Sequence, residues 1–251
     1  MKRRLLVAWL LIFAMPAFAA DLVVFSGAGL MKPMEEMRKN FQGRHKIEAQ
    51  VHYGSSGEIF GVLAGGQPCD VLIPGAEKYT EDALKNGWLK AETVHKMVRH
   101  VPVITVPAGN PAGVERIEDL AREGVKVSIG DPRAPAIGPV ARKILKQANL
   151  WEAVQPNISV YAPTVNQLLI YVALGQVDAA IIWKDLTTWS EGRGKIEVVP
   201  IADQYNEIKT IPTAVCSQAP HPDMAQVFND YIASADGLRI WAKLGFEPCH
   251  P

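Results

Sequence analysis

The chain has 251 residues, 48% hydrophobic and 21% charged, with 26 basic residues balancing 26 acidic ones. That balance argues against the basic face nucleic-acid binding usually demands, while length and apolar content suffice for one large or two small packed domains. No low-complexity tract, heptad series or internal repeat interrupts the sequence.

Met1-Lys2-Arg3-Arg4 leads into an apolar run from Leu5 to Met15 and then Pro16-Ala17-Phe18-Ala19-Ala20. A basic start, a short apolar middle and an Ala-x-Ala exit are the parts of a secretory signal, with cleavage expected after Ala19. The run is shorter than the ~20 residues of a spanning helix, and no Cys near the cleavage site offers a lipid anchor. The mature chain is expected to be exported, periplasmic and soluble. Losing Lys2, Arg3 and Arg4 leaves 23 basic residues against 26 acidic, a net formal charge of −3.

Strand-like and helix-like segments then alternate. Leu22 to Ser26 is a β-rich run, followed by a helical spacing of Met34, Met37 and Phe41 within Lys32 to Phe41. Ile47, Ala49, Val51 and Tyr53 alternate with polar residues, the two-residue period of a strand. Ile59, Val62 and Leu63 restore the helical period, Val71 to Ile73 reads as a buried strand, and a helix through Tyr79 to Lys85 stops at Asn86-Gly87. Val101 to Val106 is a longer β-rich stretch. Beyond it come strand Val125 to Ile129, helix Pro139 to Ala148, strand Ile158 to Tyr161, helix Val165 to Leu174 and strand Ala179 to Trp183. Ile211 to Val215 precedes two helices, the first carrying the stripe Met224, Val227, Phe228, Tyr231 and Ile232.

Such alternation predicts an α/β fold of parallel sheets flanked by helices. Two blocks joined by two crossing strands, Val101 to Val106 and Ile211 to Val215, predict a bilobed molecule. Its lobe one would be residues 20–104 with 201–251 and its lobe two residues 105–200. A single doubly wound domain is the alternative reading.

In open α/β sheets ligands bind beyond the carboxyl ends of strands, at the first turn of the next helix. Three such turns are rich in glycine and serine: Ser26-Gly27-Ala28-Gly29, Gly54-Ser55-Ser56-Gly57, and Gly130-Asp131-Pro132 through Ile137-Gly138-Pro139. Glycine admits close backbone approach, and the first amides of a helix lack partners and carry partial positive charge. Serine adds a compact hydroxyl donor, making Ser26, Ser55 and Ser56 the candidate side-chain donors. A fully ionised dianion can be held by neutral donors alone, whereas a protonated anion also needs an acceptor. Glu58 is the one acid inside the first two turns.

These segments carry a resemblance. Phe25-Ser26-Gly27-Ala28-Gly29-Leu30, Tyr53-Gly54-Ser55-Ser56-Gly57, Gly65-Gly66-Gln67-Pro68-Cys69-Asp70-Val71, Gly130-Asp131-Pro132, Ala179-Ala180-Ile181-Ile182 and Lys243-Leu244-Gly245-Phe246 follow one another as in the periplasmic molybdate-binding proteins. The chain resembles that family over almost its whole mature length. The resemblance implies a two-lobed periplasmic-binding-protein fold, each lobe a mostly parallel sheet flanked by helices. It implies a tetrahedral oxyanion, molybdate or tungstate, held between the lobes and passed to an ABC permease with its ATPase subunit. No cofactor is implied, the protein would be a monomer, and it would touch the membrane only through the transporter. Ser26, and Ser55 or Ser56, correspond to the family's hydroxyl contacts, with Gly27 and Ala28 as ligand-binding positions beside the first. Amides near Ile137 and Gly138 correspond to its third contact, and those near Asn166 or Gln167 to its fourth. Where many members carry a ligand-reaching Tyr, this chain has Trp183, which is either an indole N–H donor or a core aromatic ending a strand. With the extra amides of Asn166 and Gln167, that departure could change the anion to a sulfate-like or organic one.

Other chemistries are weaker. Tyr53, Tyr161 and Tyr171 are scattered, unlike adjacent iron-binding tyrosines, and the six histidines form no i, i+4 pair. No Gly-x-Ser-x-Gly elbow, Walker loop, HExxH or kinase set occurs, so no enzyme is expected. The bilobed scaffold can nonetheless host one, and a cleft acid–base pair with strongly shifted pKa values would revive that reading. Asp131 with Arg133, and Asp185, are read as helix-capping or surface ion-pairing groups. No DNA-binding segment supports a regulatory sensor. Cys69, Cys216 and Cys249 would give one disulfide and one free thiol, with the pairing open.

Overall fold

The computed structural model describes residues 22–249, so the signal segment expected over 1–19 lies outside the described residues. In chain order, β1 (Leu22–Gly27) leads through a 3₁₀ turn to α1 (Met31–His45), β2 (Ala49–Gly54), α2 (Ser56–Ala64), β3 (Val71–Ile73), α3 (Glu77–Lys85) and β4 (His95–His100). Then follow β5 (Pro102–Pro107), β6 (Val127–Gly130), α4 (Ile137–Gln147), α5 (Trp151–Val154), β7 (Ile158–Ala162), α6 (Val165–Ala173), β8 (Ala179–Trp183) and β9 (Ile196–Val199). The chain closes with β10 (Lys209–Val215), α7 (Pro222–Ala233), α8 (Ala235–Lys243) and β11 (Glu247–Pro248). No helix among the described residues is long and apolar enough to cross a membrane.

The strands form two sheets, β11-β4-β10-β3-β1-β2 and β7-β6-β8-β5-β9. The chain passes from the first to the second at Val101, between β4 and β5, and returns between β9 and β10. Both sheets are mixed. Pairs joined by a strand–helix–strand crossover are parallel, as in β1 with β2 and β6 with β7. The strands flanking the passages run antiparallel: β10 against β3 and β4, and β5 against β8 and β9. Parallel order therefore holds where a helix returns the chain to the same edge, and reverses where the chain enters or leaves a sheet.

Each sheet has its own core. The second is packed through Ile104, Ile129, Ile144, Leu168, Ile181 and their neighbours. The first is buried on both faces. One face carries Leu22, Met34, Phe41, Phe228 and Trp241, with Phe41 edge-on to Phe228 at 5.0 Å. The other carries Phe25, Ile59, Leu72, Ala214 and two cysteines. Met34, Met37 and Phe41 are fully buried on α1 as their spacing predicts, whereas on α7 the inner stripe is Ala225, Phe228, Tyr231 and Ile232, with Val227 of the expected stripe exposed and Met224 partly so.

Candidate functional site

The carboxyl ends of the strands converge on a cleft between the two sheets. There β1 ends at Gly27, β2 at Gly54, and β8 at Trp183. A cavity of about 20 Å³ lies in it, walled on one side by Gly27, Ala28, Ser55, Ser56, Gly75 and His100, and on the other by Pro135, Ala136, Thr164, Val165 and Trp183. On that scale it holds on the order of one or two waters. No lining residue is Lys, Arg, Asp or Glu.

Local sequence explains the first wall. Ser55 is the N-cap of α2, its Oγ accepting from Glu58 N at 3.2 Å while Ser55 N donates to Glu58 Oε2 at 3.3 Å. This reciprocal box fixes the turn and leaves the hydroxyl proton of Ser55 free to donate. Ser56 Oγ accepts from Gly75 N at 3.0 Å, so its proton is likewise available. On the opposite wall Thr164 caps α6, accepting from Gln167 N at 3.4 Å. Ser56 and Val165 head their helices, where N–H groups have no intrahelical partner.

Not every expected donor reaches the cavity. Gly27, Ala28, Ser55, Ser56 and Trp183 line it, whereas Ser26, Ile137, Gly138, Asn166 and Gln167 do not. Ser26 is fully buried one residue before the wall, and its Oγ has no partner. Gly138 N donates to Pro135 O at 2.9 Å. A Cβ at Gly138 would lie 2.3 Å from Asp131 O, so this glycine serves close packing of the loop, and Pro135 and Ala136 take the wall position instead. Gln167 N is spent on Thr164. Asn166 Nδ2 donates to Ala28 O at 3.3 Å, joining α6 to the turn after β1.

That bond is one of several across the cleft. Gly57 N donates to Ala134 O at 2.9 Å, and Lys32 Nζ meets Glu191 Oε1 at 2.8 Å. The arrangement is closed.

The residue that sequence reasoning missed is His100, at the end of β4. It is 1% exposed, its Nδ1 donates to Gly75 O at 2.9 Å, and its ring stacks on Trp183 at 4.4 Å and on Phe246 at 5.4 Å. Its Nε2 lies 3.4 Å from Asp185 Oδ1. Asp185 is not the surface group expected: it is 2% exposed. Burial drives the His100 pKa down to about 3, against a smaller opposing effect of the Gly75 carbonyl. Burial likewise pushes Asp185 well above the carboxylate range. Desolvation penalises both charges and favours the uncharged form of each partner. The sole local signal for His100 was its place just before the crossing at Val101. Asp131 does pair with Arg133, at 3.0 Å on the surface. Among the described residues no cluster of three or more His, Cys, Asp or Glu could hold a metal.

Comparison with known proteins agrees with this fold. The model of the family described as bacterial extracellular solute-binding proteins matches residues 22–247. A Haemophilus influenzae protein described as a candidate binding protein is 28% identical over 248 residues, covering 99% of each chain. The molybdate-binding protein ModA of Mycobacterium tuberculosis is 24% identical over 230 residues, 91% of this chain and 85% of that one. Among solved structures, the periplasmic molybdate-binding protein of Azotobacter vinelandii superposes with a TM-score of 0.77 at 18% identity, covering 90% of this chain and 98% of the other. The fold is the two-lobed one of periplasmic binding proteins.

Proposed function

The chain belongs to the bacterial extracellular solute-binding proteins, and from that premise we propose that it captures a small tetrahedral oxyanion, molybdate or tungstate, for an ABC importer. The observation that carries this reading is the cavity between the lobes: small, about 20 Å³, with the hydroxyls of Ser55 and Ser56 in its wall and not one Lys, Arg, Asp or Glu. A large organic anion would hold the lobes apart. A fully ionised dianion needs donors only, and Ser55, Ser56 and the amides heading α2 and α6 supply them.

The likeness to ModA supports the choice of anion. Ser26, the amides near Ile137, and the indole N–H of Trp183 complete the shell as the lobes settle around the guest. Lobe one is built on the first sheet and lobe two on the second, which begins with β5 at Pro102 rather than at residue 105, and the lobes close about the two passages between the sheets. The protein works as an exported monomer that delivers its cargo to a permease driven by an ATPase subunit. Hydrogen bonds to an ionic ligand contribute ~1.5–3 kcal/mol each, so five or more offset dehydration and closure and reach micromolar affinity or better.

Parallel calorimetric titration with molybdate, tungstate, sulfate and phosphate tests this. Tight binding of the first two alone is expected; binding of sulfate or phosphate in their place would overturn the choice of anion, and silence from all four the reading itself.

The buried His100–Asp185 pair favours a second reading, catalysis in the cleft. The relatives are binding proteins, however, and the one side-chain hydrogen bond of His100 runs to Gly75 O, with Nε2 facing Asp185 rather than a lining hydroxyl. A base that activates a nucleophile must reach it.

A further inference from the structure

Cys69 lies in the segment leading into β3, and Cys216 follows β10 directly. These strands are antiparallel neighbours, pairing Ala214 with Leu72 and Val215 with Val71. Cys216 N continues the ladder by donating to Asp70 O at 2.9 Å. Cys216 therefore stands across from Asp70, one residue from Cys69. Both side chains turn into the same apolar cluster, with Phe25, Ile59 and Leu72. Cys69 Sγ donates to Val71 O at 3.3 Å, and the Cys216 thiol lies in hydrogen-bonding contact with it. The two also share the wall of a cavity of about 380 Å³ that runs past Gly66, Gln67, Trp88 and Gln218. Cys249 is remote: its amide donates to Met97 O, beside the β11–β4 edge of the sheet.

We propose that Cys69 and Cys216 are joined by a disulfide in the exported protein, with Cys249 left as the single thiol. The oxidant is a disulfide, carried by an extracytoplasmic thiol–disulfide exchange protein or a small molecule such as oxidised glutathione. One cysteine thiolate attacks that disulfide and expels a thiolate, giving a mixed disulfide. The second cysteine attacks the mixed disulfide, forming the Cys69–Cys216 bond. The two cysteines lose two electrons and two protons, and the oxidant leaves as two thiols. Burial pushes the Cys69 thiol up, and the thiolate is the reacting form. The exchange therefore runs while these segments are still packing, or through the adjoining cavity.

The bond would do more than link two strand ends. All five strands of the second sheet lie in sequence between residues 69 and 216. One covalent link at the first sheet thus closes the whole excursion of the chain through the second lobe, restricting the unfolded ensemble.

The test is a thiol count on protein exported to the periplasm of a bacterial host, denatured and alkylated without reductant. One alkyl group, on Cys249, and a cross-linked peptide pair containing Cys69 and Cys216 are expected. Three alkylated cysteines, or a bridge that includes Cys249, would overturn the assignment. Purified reduced protein incubated with oxidised glutathione should reach the same state, which separates pairing from export. Reduction should lower the Tm by about 5–15 °C. Cys249→Ser should keep that sensitivity and Cys69→Ala/Cys216→Ala should lose it; an unpaired wild type whose Tm ignores reductant would also sink the proposal.

Discussion

His100 Nε2 faces Asp185 Oδ1 at 3.4 Å across the junction of the two lobes, with both side chains all but excluded from water. His100 ends the last strand before the chain leaves the first sheet, and Asp185 follows the strand that carries Trp183 in the second. The stack of Trp183 on His100 ties this pair to the cavity wall.

The pair sets a pH dependence. In the folded protein it holds one proton over a broad range, because the histidine pKa is lowered and the carboxyl pKa raised. In the unfolded chain Asp185 titrates near its ordinary 3.8 and His100 near 6.5. Between those values both states bind one proton and stability is flat. Above 6.5 the unfolded chain releases its proton, while the raised carboxyl pKa holds the folded pair's proton to higher pH, so the pair's contribution falls as pH rises until that carboxyl ionises. Below 3.8 the unfolded chain binds one more proton, and stability falls again. Asp185→Asn keeps a neutral donor facing Nε2 and removes the alkaline slope. Denaturant unfolding at pH 6 and pH 8.5 should show the variant gaining on wild type at the higher pH; parallel pH profiles would contradict this.

Ser55→Ala and Ser56→Ala should each weaken molybdate binding about 10–100-fold, the loss of one hydrogen bond to an ion. Their stability costs differ in origin. The first removes the cap of α2, about 1 kcal/mol; the second strips Gly75 N–H of its buried partner. Calorimetry paired with thermal melts separates affinity from folding, and unchanged affinity in both variants would displace the site.

Ser26 should split the two readouts. Its buried Oγ has no partner, so Ser26→Ala is expected to stabilise the ligand-free protein by about 1 kcal/mol while weakening anion binding. Higher stability with undiminished affinity would show that its hydroxyl serves no ligand.

Closure should be sensitive at Gly57. A Cβ there would meet Arg133 O at 2.6 Å and Ala134 O at 3.1 Å, both backbone atoms of the facing lobe. Gly57→Ala should prop the cleft open, lowering affinity about 10-fold or more. Small-angle scattering at saturating molybdate should give a larger radius of gyration than wild type, and identical profiles would refute the contact's role.

Much of the architecture was legible because burial period and turn chemistry are local. Val71–Ile73 and Ala179–Trp183 were read to the residue, as fully buried strands should be, and the Ser55–Glu58 box lies in four consecutive residues. β4 was missed because His95, Lys96 and Arg99 hide its buried apolar residues, Met97 and Val98, and its third buried residue is the polar His100. β9 was missed as a short, half-exposed edge. His100 and Asp185 were illegible for another reason: each matters through the other, and nothing within a few residues of either betrays the pairing. The Gly138 amide shows the converse, a plausible donor whose proton is already committed to Pro135 O.

The capping box has a kinetic consequence. It assembles Ser55 and Ser56 on one lobe without help from the other, so that half of the site exists in the open protein. On the proposed function, an anion would dock there first, in a one-sided encounter whose rate depends little on the second lobe. Escape, by contrast, must wait for Gly57 to part from Ala134 and Asn166 from Ala28. Residence time is then governed by the frequency of opening, and a transporter that pulls the lobes apart would release the cargo without competing for a single one of its bonds.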